Sequence, residues 1–173
     1  MIAGLDLSLT GTGIATYGGG EIRTHLIKTV GKKTDTVYET AARIDSIEHD
    51  ILQRIGSDCE LAVIEAPSFG SKGGSGHERA GLWWKVTTTL IRHGVRIAKV
   101  APTTLKAYVA NNGKADKDEV LAAVIRKYPK ADVTNNNVAD AVGLMAMGCR
   151  YYDIPLDVEN SKTASSMKAV AWS

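Results

Sequence analysis

Apolar residues fall in short runs near the start of the chain and at helical spacing further along it. Ile2, Ala3 and Leu5 lead into Asp6 and predict a strand over 2–7. A tight Gly/Thr turn separates it from a second strand over 12–17, and the glycine triplet 18–20 reverses the chain into a third over 23–30. Strands joined this closely predict an antiparallel meander. Val37, Ala41, Ile44, Ile47, Ile51 and Ile55 then recur at steps of three and four, so 36–55 reads as a helix with one apolar face. Residues 61–65 form a short apolar strand closed by Glu65. The segment 67–78 is rich in Gly and Ser and reads as a loop.

Beyond that loop, elements alternate. A helix is expected over 79–93, a strand over 95–100 and a short helix over 102–109, with Pro102 suited to its first turn. Asp116 and Glu119 have capping-box spacing for a helix reaching 128, with Val120, Leu121, Val124 and Ile125 inward. The last helix spans 136–151, with Val138, Ala141, Val142, Met145 and Cys149 inward. Periodicity then fades. Residues 1–153 are expected to form one domain, and 154–173 a loosely held, flexible tail. The pattern is α/β: a mixed five-stranded sheet with helices on both faces.

Composition narrows the picture. A chain of 173 residues, 44% of them hydrophobic, can build one real core. No cationic start followed by an apolar stretch occurs, and no run of 18 apolar residues, so neither a signal peptide nor a membrane span is expected. Cys59 and Cys149 lack metal-ligand spacing and read as buried free thiols in a reducing, cytoplasmic compartment. His25, His49 and His93 read as structural or surface residues. Net charge is +2, yet residues 72–114 hold eight Lys or Arg against one acid, Glu78. That basic segment suits a phosphate-rich partner or a solvated helix face.

Three acids change the reading most. Asp6 and Glu65 each end an apolar strand, and Asp140 interrupts an apolar helix, a costly place for an unpartnered carboxylate. Carboxylates from three elements can hold magnesium, which prefers hard oxygen ligands. Two such ions about 4 Å apart can activate water and stabilise a leaving oxygen in phosphodiester hydrolysis.

GLDLSLTGTGIA resembles the opening strand–turn–strand of the RuvC family of Holliday-junction resolvases. AVIEAPSF is similar to its second catalytic strand, VAPTTLKAYVANNGKADKDEVLAAV to its basic stretch, and VADAVGLMAM to its final catalytic helix. The resemblance covers most of residues 2–150. It implies a ribonuclease H-like fold and a metal-dependent endonuclease acting on four-way junctions and other branched DNA. It implies Asp6, Glu65 and Asp140 as metal ligands, with two magnesium ions per site and manganese able to substitute. Lys106 and Lys117 would stand near the scissile phosphate or junction backbone, Lys117 counting among the catalytic groups. The family also implies a homodimer with its two sites on opposite junction arms. Trp83 and Trp84 cannot face the same way, which puts one in the core and the other at a subunit interface.

One position departs from the family. A fourth acid or a histidine usually precedes the last Asp by three residues, and here it is Asn137. Its amide oxygen could still reach a metal, or it could simply cap the helix start. That variant and the small size point toward a phage-encoded relative. Phe69 is a candidate wedge for base stacking, with Lys72, His77 and Arg79 beside it for the DNA backbone and Lys114 further along. Alternatives remain: a ribonuclease H-like nuclease for flaps or RNA–DNA hybrids, a non-catalytic DNA-binding relative, or an actin-like ATPase, which would need a second phosphate loop.

Overall fold

The computed structural model describes residues 1–67 and 76–172. Its sheet comprises β1 (Ile2–Asp6), β2 (Gly11–Gly18), β3 (Glu21–Lys28), β4 (Leu61–Glu65) and β5 (Arg96–Val100). The spatial order is β3-β2-β1-β4-β5. β1, β2 and β3 form the expected antiparallel meander, whereas β1–β4 and β4–β5 pair parallel. Among the described residues, helices pack around it: α1 (Val37–Ile55), α2 (Gly76–Arg92), α3 (Pro102–Ala110), α4 (Lys117–Lys127), α5 (Asn136–Tyr151) and α6 (Ser161–Lys168). The expected mixed five-stranded sheet is therefore present. Among the described residues no helix is long and apolar enough to cross a membrane.

Alternation along the strands builds two cores. Ile2, Leu61 and Val63 face α3, α4 and α5, while Ala3, Leu5, Ala62 and Ile64 face α1 and α2. α5 is buried almost all round, from Val138 through Cys149 except Asp140. It lies directly on the sheet because two strand residues have no side chain. A Cβ on Gly4 would sit 2.1 Å from the Ala141 carbonyl oxygen, and one on Gly13 would sit 2.0 Å from that of Asn137. This close seat brings the start of α5 over the end of β1.

Local signals hold where they are chemical. Thr36 with Glu39, and Asp116 with Glu119, close full capping boxes at the starts of α1 and α4. Two expected apolar stripes are shorter than their spacing suggests. In α1 only Ile47, Ile51 and Ile55 are buried, and Val37 stands in solvent because the sheet does not extend beneath the first turns. In α4 Ala123 takes the buried place and Ile125 is exposed.

The region expected to be a loose tail instead carries α6, and this corrects that reading. Val170, Leu156 and Met167 reach the core, but many of its anchors are polar or aromatic, so no hydrophobic period announces them. The Asp157 carboxylate accepts from Arg150 at 2.7 Å and from the Tyr108 hydroxyl at 3.0 Å. Asn160 caps α6 through the N–H groups of Lys162 and Thr163. Thr163 and Ser166 are buried, and Trp172 stacks on Tyr151 with ring centroids 4.6 Å apart.

Candidate active site

Leu5 pairs with Ile64 across the parallel β1–β4 ladder, so Asp6 and Glu65 leave adjacent strands at the same end of the sheet. Asp140, in the second turn of α5, is set above them by the close seat at Gly4 and Gly13. All three line one cavity of about 510 Å³, together with Lys106 from α3 and Lys117 from α4. The sequence-predicted acids, some 59 and 75 positions apart, therefore converge.

Burial and mutual repulsion dominate their electrostatics. Desolvation, followed by the Asp140 charge, lifts the Asp6 carboxyl to about 7, with Lys117 opposing. Glu65 rises to about 8, through burial and then the charges of Asp6 and Asp140, against Lys106 and Lys117. Asp140 rises to about 6 through burial, with Lys117 and Lys106 pulling it back. None of the three carboxylates has a hydrogen bond or ion pair among the described residues.

This donor set fits a hard divalent cation. Three oxygen-bearing acids face one space, and burial makes each harder to ionise. They do not form a closed cage: among the described residues no three acids, histidines or cysteines are gathered tightly enough to grip an ion unaided. Magnesium does not need such a cage, because it keeps several waters and uses one or two carboxylates.

The remaining expected residues divide by position. Arg79 and Asn137 also line the cavity. The Lys106 ammonium donates to the Ala115 carbonyl at 2.7 Å, which fixes its charge at the cavity wall. His77 is exposed in the first turn of α2, and Lys114 is exposed outside the cavity lining. Phe69 and Lys72 lie outside the described residues. The basic segment is not one patch: Lys85 pairs with Asp45 at 3.2 Å, and Arg96 sits over the Tyr152 ring, bonded to its hydroxyl.

Asn137 has a definite partner. Its amide nitrogen donates to the Gly11 carbonyl at 2.6 Å, tying the start of α5 to β2. A carbonyl only accepts, so the amide must present nitrogen there and keep oxygen for the other side. Capping of α5 falls to Asn135, whose side chain accepts from the Val138 N–H. Sequence reading also missed a contact of Trp83. Its indole N–H donates to the Glu65 carbonyl at 2.9 Å, and the ring lines the cavity. The one available signal was that a buried indole needs an acceptor. As expected, the Trp pair divides: Trp83 is buried, whereas Trp84 is 61% exposed.

No protein-family model matches the chain. Among curated proteins it is similar to the crossover junction endodeoxyribonuclease RuvC of Synechococcus sp. (strain CC9902), 31% identical over 153 residues, covering 85% of this chain and 96% of the relative. RuvC of Parvibaculum lavamentivorans is 28% identical over 144 residues, covering 82% of this chain and 81% of the relative. Among solved structures, Thermus thermophilus RuvC superposes with a TM-score of 0.66 at 18% identity, covering 91% of this chain and 99% of that one. The same protein in complex with a Holliday junction substrate superposes at 0.63 with 21% identity, covering 88% and 94%. These likenesses bear out the ribonuclease H-like α/β fold.

Proposed function

The chain belongs to the RuvC family of crossover junction endodeoxyribonucleases, and from that premise we propose that it resolves four-way DNA junctions as a structure-selective, divalent-metal-dependent endonuclease. The observation that carries this reading is the convergence of Asp6, Glu65 and Asp140 on one cavity walled by Lys106 and Lys117. Its relative from Thermus thermophilus forms a complex with a Holliday junction substrate.

Asp6, Glu65 and Asp140 would hold magnesium, with manganese able to substitute and two ions per site. Asn137 stands at the edge and offers its amide oxygen. Such ions supply an activated water and charge stabilisation for the leaving oxygen. The chain's own contribution is placement. The sheet holds Asp6 and Glu65 on adjacent strand ends, and the Asn137–Gly11 bond holds α5, with Asp140, over them. Lys106 and Lys117 bring positive charge to the phosphate as its ester bond breaks. Arg79 and His77 hold the flanking backbone without reading sequence. Phe69, Lys72 and Lys114 belong to the same DNA-facing proposal.

Two copies acting together suit a four-armed substrate. Trp84 and Ile91, 61% and 56% exposed, share one face of α2 and offer an apolar contact for a second copy of this chain. The same proposal puts the protein in the cytoplasm of a bacterial cell, as a bacterial or phage-encoded product, with branched DNA as its partner.

A panel of synthetic four-way junctions, flaps, duplexes and RNA–DNA hybrids, each incubated with protein and magnesium, tests this function. Symmetric nicking of the junction in preference to the others is expected. Preference for hybrids or flaps would replace the proposal with a different ribonuclease H-like activity.

A further inference from the structure

The cavity that holds the acids continues past Asn137. A second cavity, of about 440 Å³, opens beyond it, within the range of about 300–1,000 Å³ common for ligand sites. Thr10 and Lys28 line one bank and Thr134 the other, while Asn136, Asn137 and Lys117 line both cavities. The two spaces therefore form one trough with a shared wall.

Their charges differ. The first holds three carboxyls beside Arg79, Lys106 and Lys117, whereas the second has no acid among its described lining residues and has Lys28 and Lys117. Lys28 is the last residue of β3, paired with Gly11 of β2, and its ammonium is exposed with no ion pair among the described residues. Because β3 is the outer strand of the sheet, the trough leads from the acids across the β2–β3 end to the sheet edge. Lys106 and Arg79 line the first cavity only. Cations thus accompany the acids in the first cavity and stand without them in the second.

A polyanionic strand is the occupant that this charge pattern favours. In the second cavity it meets Lys28 and Lys117 with no acid opposing it, and in the first a bound cation would offset the acids. We propose that the second cavity seats the phosphodiester backbone on one side of the scissile phosphate, with Lys28 as its principal phosphate contact. Thr10, Thr134 and Asn136 supply uncharged hydrogen-bonding groups. Such contacts fix register and carry no base preference. The inference rests on the proposed nuclease function and adds to it the path by which the cut strand leaves.

The test compares the wild type with Lys28→Glu, Lys28→Ala and, as a control outside the trough, Lys168→Ala on α6. Junction affinity is measured without metal at several salt concentrations, and single-turnover cleavage with magnesium at subsaturating protein. Lys28→Glu should bind about tenfold more weakly and Lys28→Ala less so, each lowering the salt slope by about one, as expected for one lost phosphate contact. Single-turnover cleavage at subsaturating protein should fall in step with affinity, and Lys168→Ala should match wild type throughout. Thermal melting of each variant confirms folding. If the wild type cuts junctions while Lys28→Glu keeps wild-type affinity and slope, the inference is overturned and the nuclease function stands. If the wild type neither binds nor cuts DNA, both are overturned.

Discussion

Asp157 and Asp6 both hold a carboxylate away from water, and only Asp157 is given a counterion. The Asp157 side chain is 3% exposed and has Arg150 at 2.7 Å, the Tyr108 hydroxyl at 3.0 Å and Lys127 at 4.0 Å. Its charge is matched within the fold, and it ties the C-terminal segment to α3, α4 and α5. Asp6, with Glu65 and Asp140, is buried beside other acids, and the nearest cations act only from a distance. A buried charge is costly unless paired. The contrast shows that this fold can match a buried acid and does not do so at the cavity. On the function proposed above, a divalent ion brings the missing positive charge.

Substitutions at the two places should therefore act in opposite directions. Asp6→Asn is expected to reduce junction cleavage by roughly a thousandfold or more while leaving metal-free junction affinity intact, because the lost group holds metal rather than DNA. Gel-shift and cleavage assays on one junction read both. The same change should stabilise the metal-free protein by something on the order of 1–3 kcal/mol at pH 8, since it removes a desolvated charge. Asp157→Ala should cost about 3–5 kcal/mol in denaturant unfolding, because it strands Arg150. A gain or no change at Asp157 would erase the contrast.

Smaller changes sharpen it. Asn137→Asp places a carboxylate against the Gly11 carbonyl with no hydrogen to donate, and adds a fourth acid. The metal-free protein should lose about 1–3 kcal/mol, and the magnesium concentration needed for half-maximal cleavage should fall. An equal or higher requirement would remove Asn137 from the metal's surroundings. Trp83→Phe keeps an aromatic but leaves the Glu65 carbonyl without its donor. It should cost about 1–2 kcal/mol and raise the magnesium requirement without altering metal-free junction affinity.

The comparison also explains which parts of the molecule can be read from sequence. Asp6, Glu65 and Asp140 are visible because each breaks an apolar run, and their elements follow from ordinary period and turn signals. The capping boxes at Thr36 and Asp116 are equally plain, since their donors and acceptors lie three residues apart. Asp157 gives no such signal: its partners Tyr108, Lys127 and Arg150 come from three helices and look like solvated charges in a list of residues. α6 was missed for that reason. The Asn137–Gly11 and Trp83–Glu65 bonds are likewise long-range pairings with no local spacing. The start of α1 is exposed against its period, because helical period reports a stripe but not how far the sheet reaches beneath it.

A charge deficit at the cavity's acids that a divalent cation fills should show in the melting temperature from pH 5 to 8 with and without magnesium. In the folded chain the three acids sit at about 7, 8 and 6, above their ordinary values of 3.8, 4.5 and 3.8. Between those limits the folded state binds more protons than the unfolded state, so metal-free stability must fall as pH rises. The expected result is a melting temperature that drops toward pH 8 without metal, recovers with magnesium most strongly at pH 8, and responds less to both in Asp6→Asn. A metal-free profile that is flat or rises over this range, or a magnesium shift as large in Asp6→Asn as in wild type, would contradict the account.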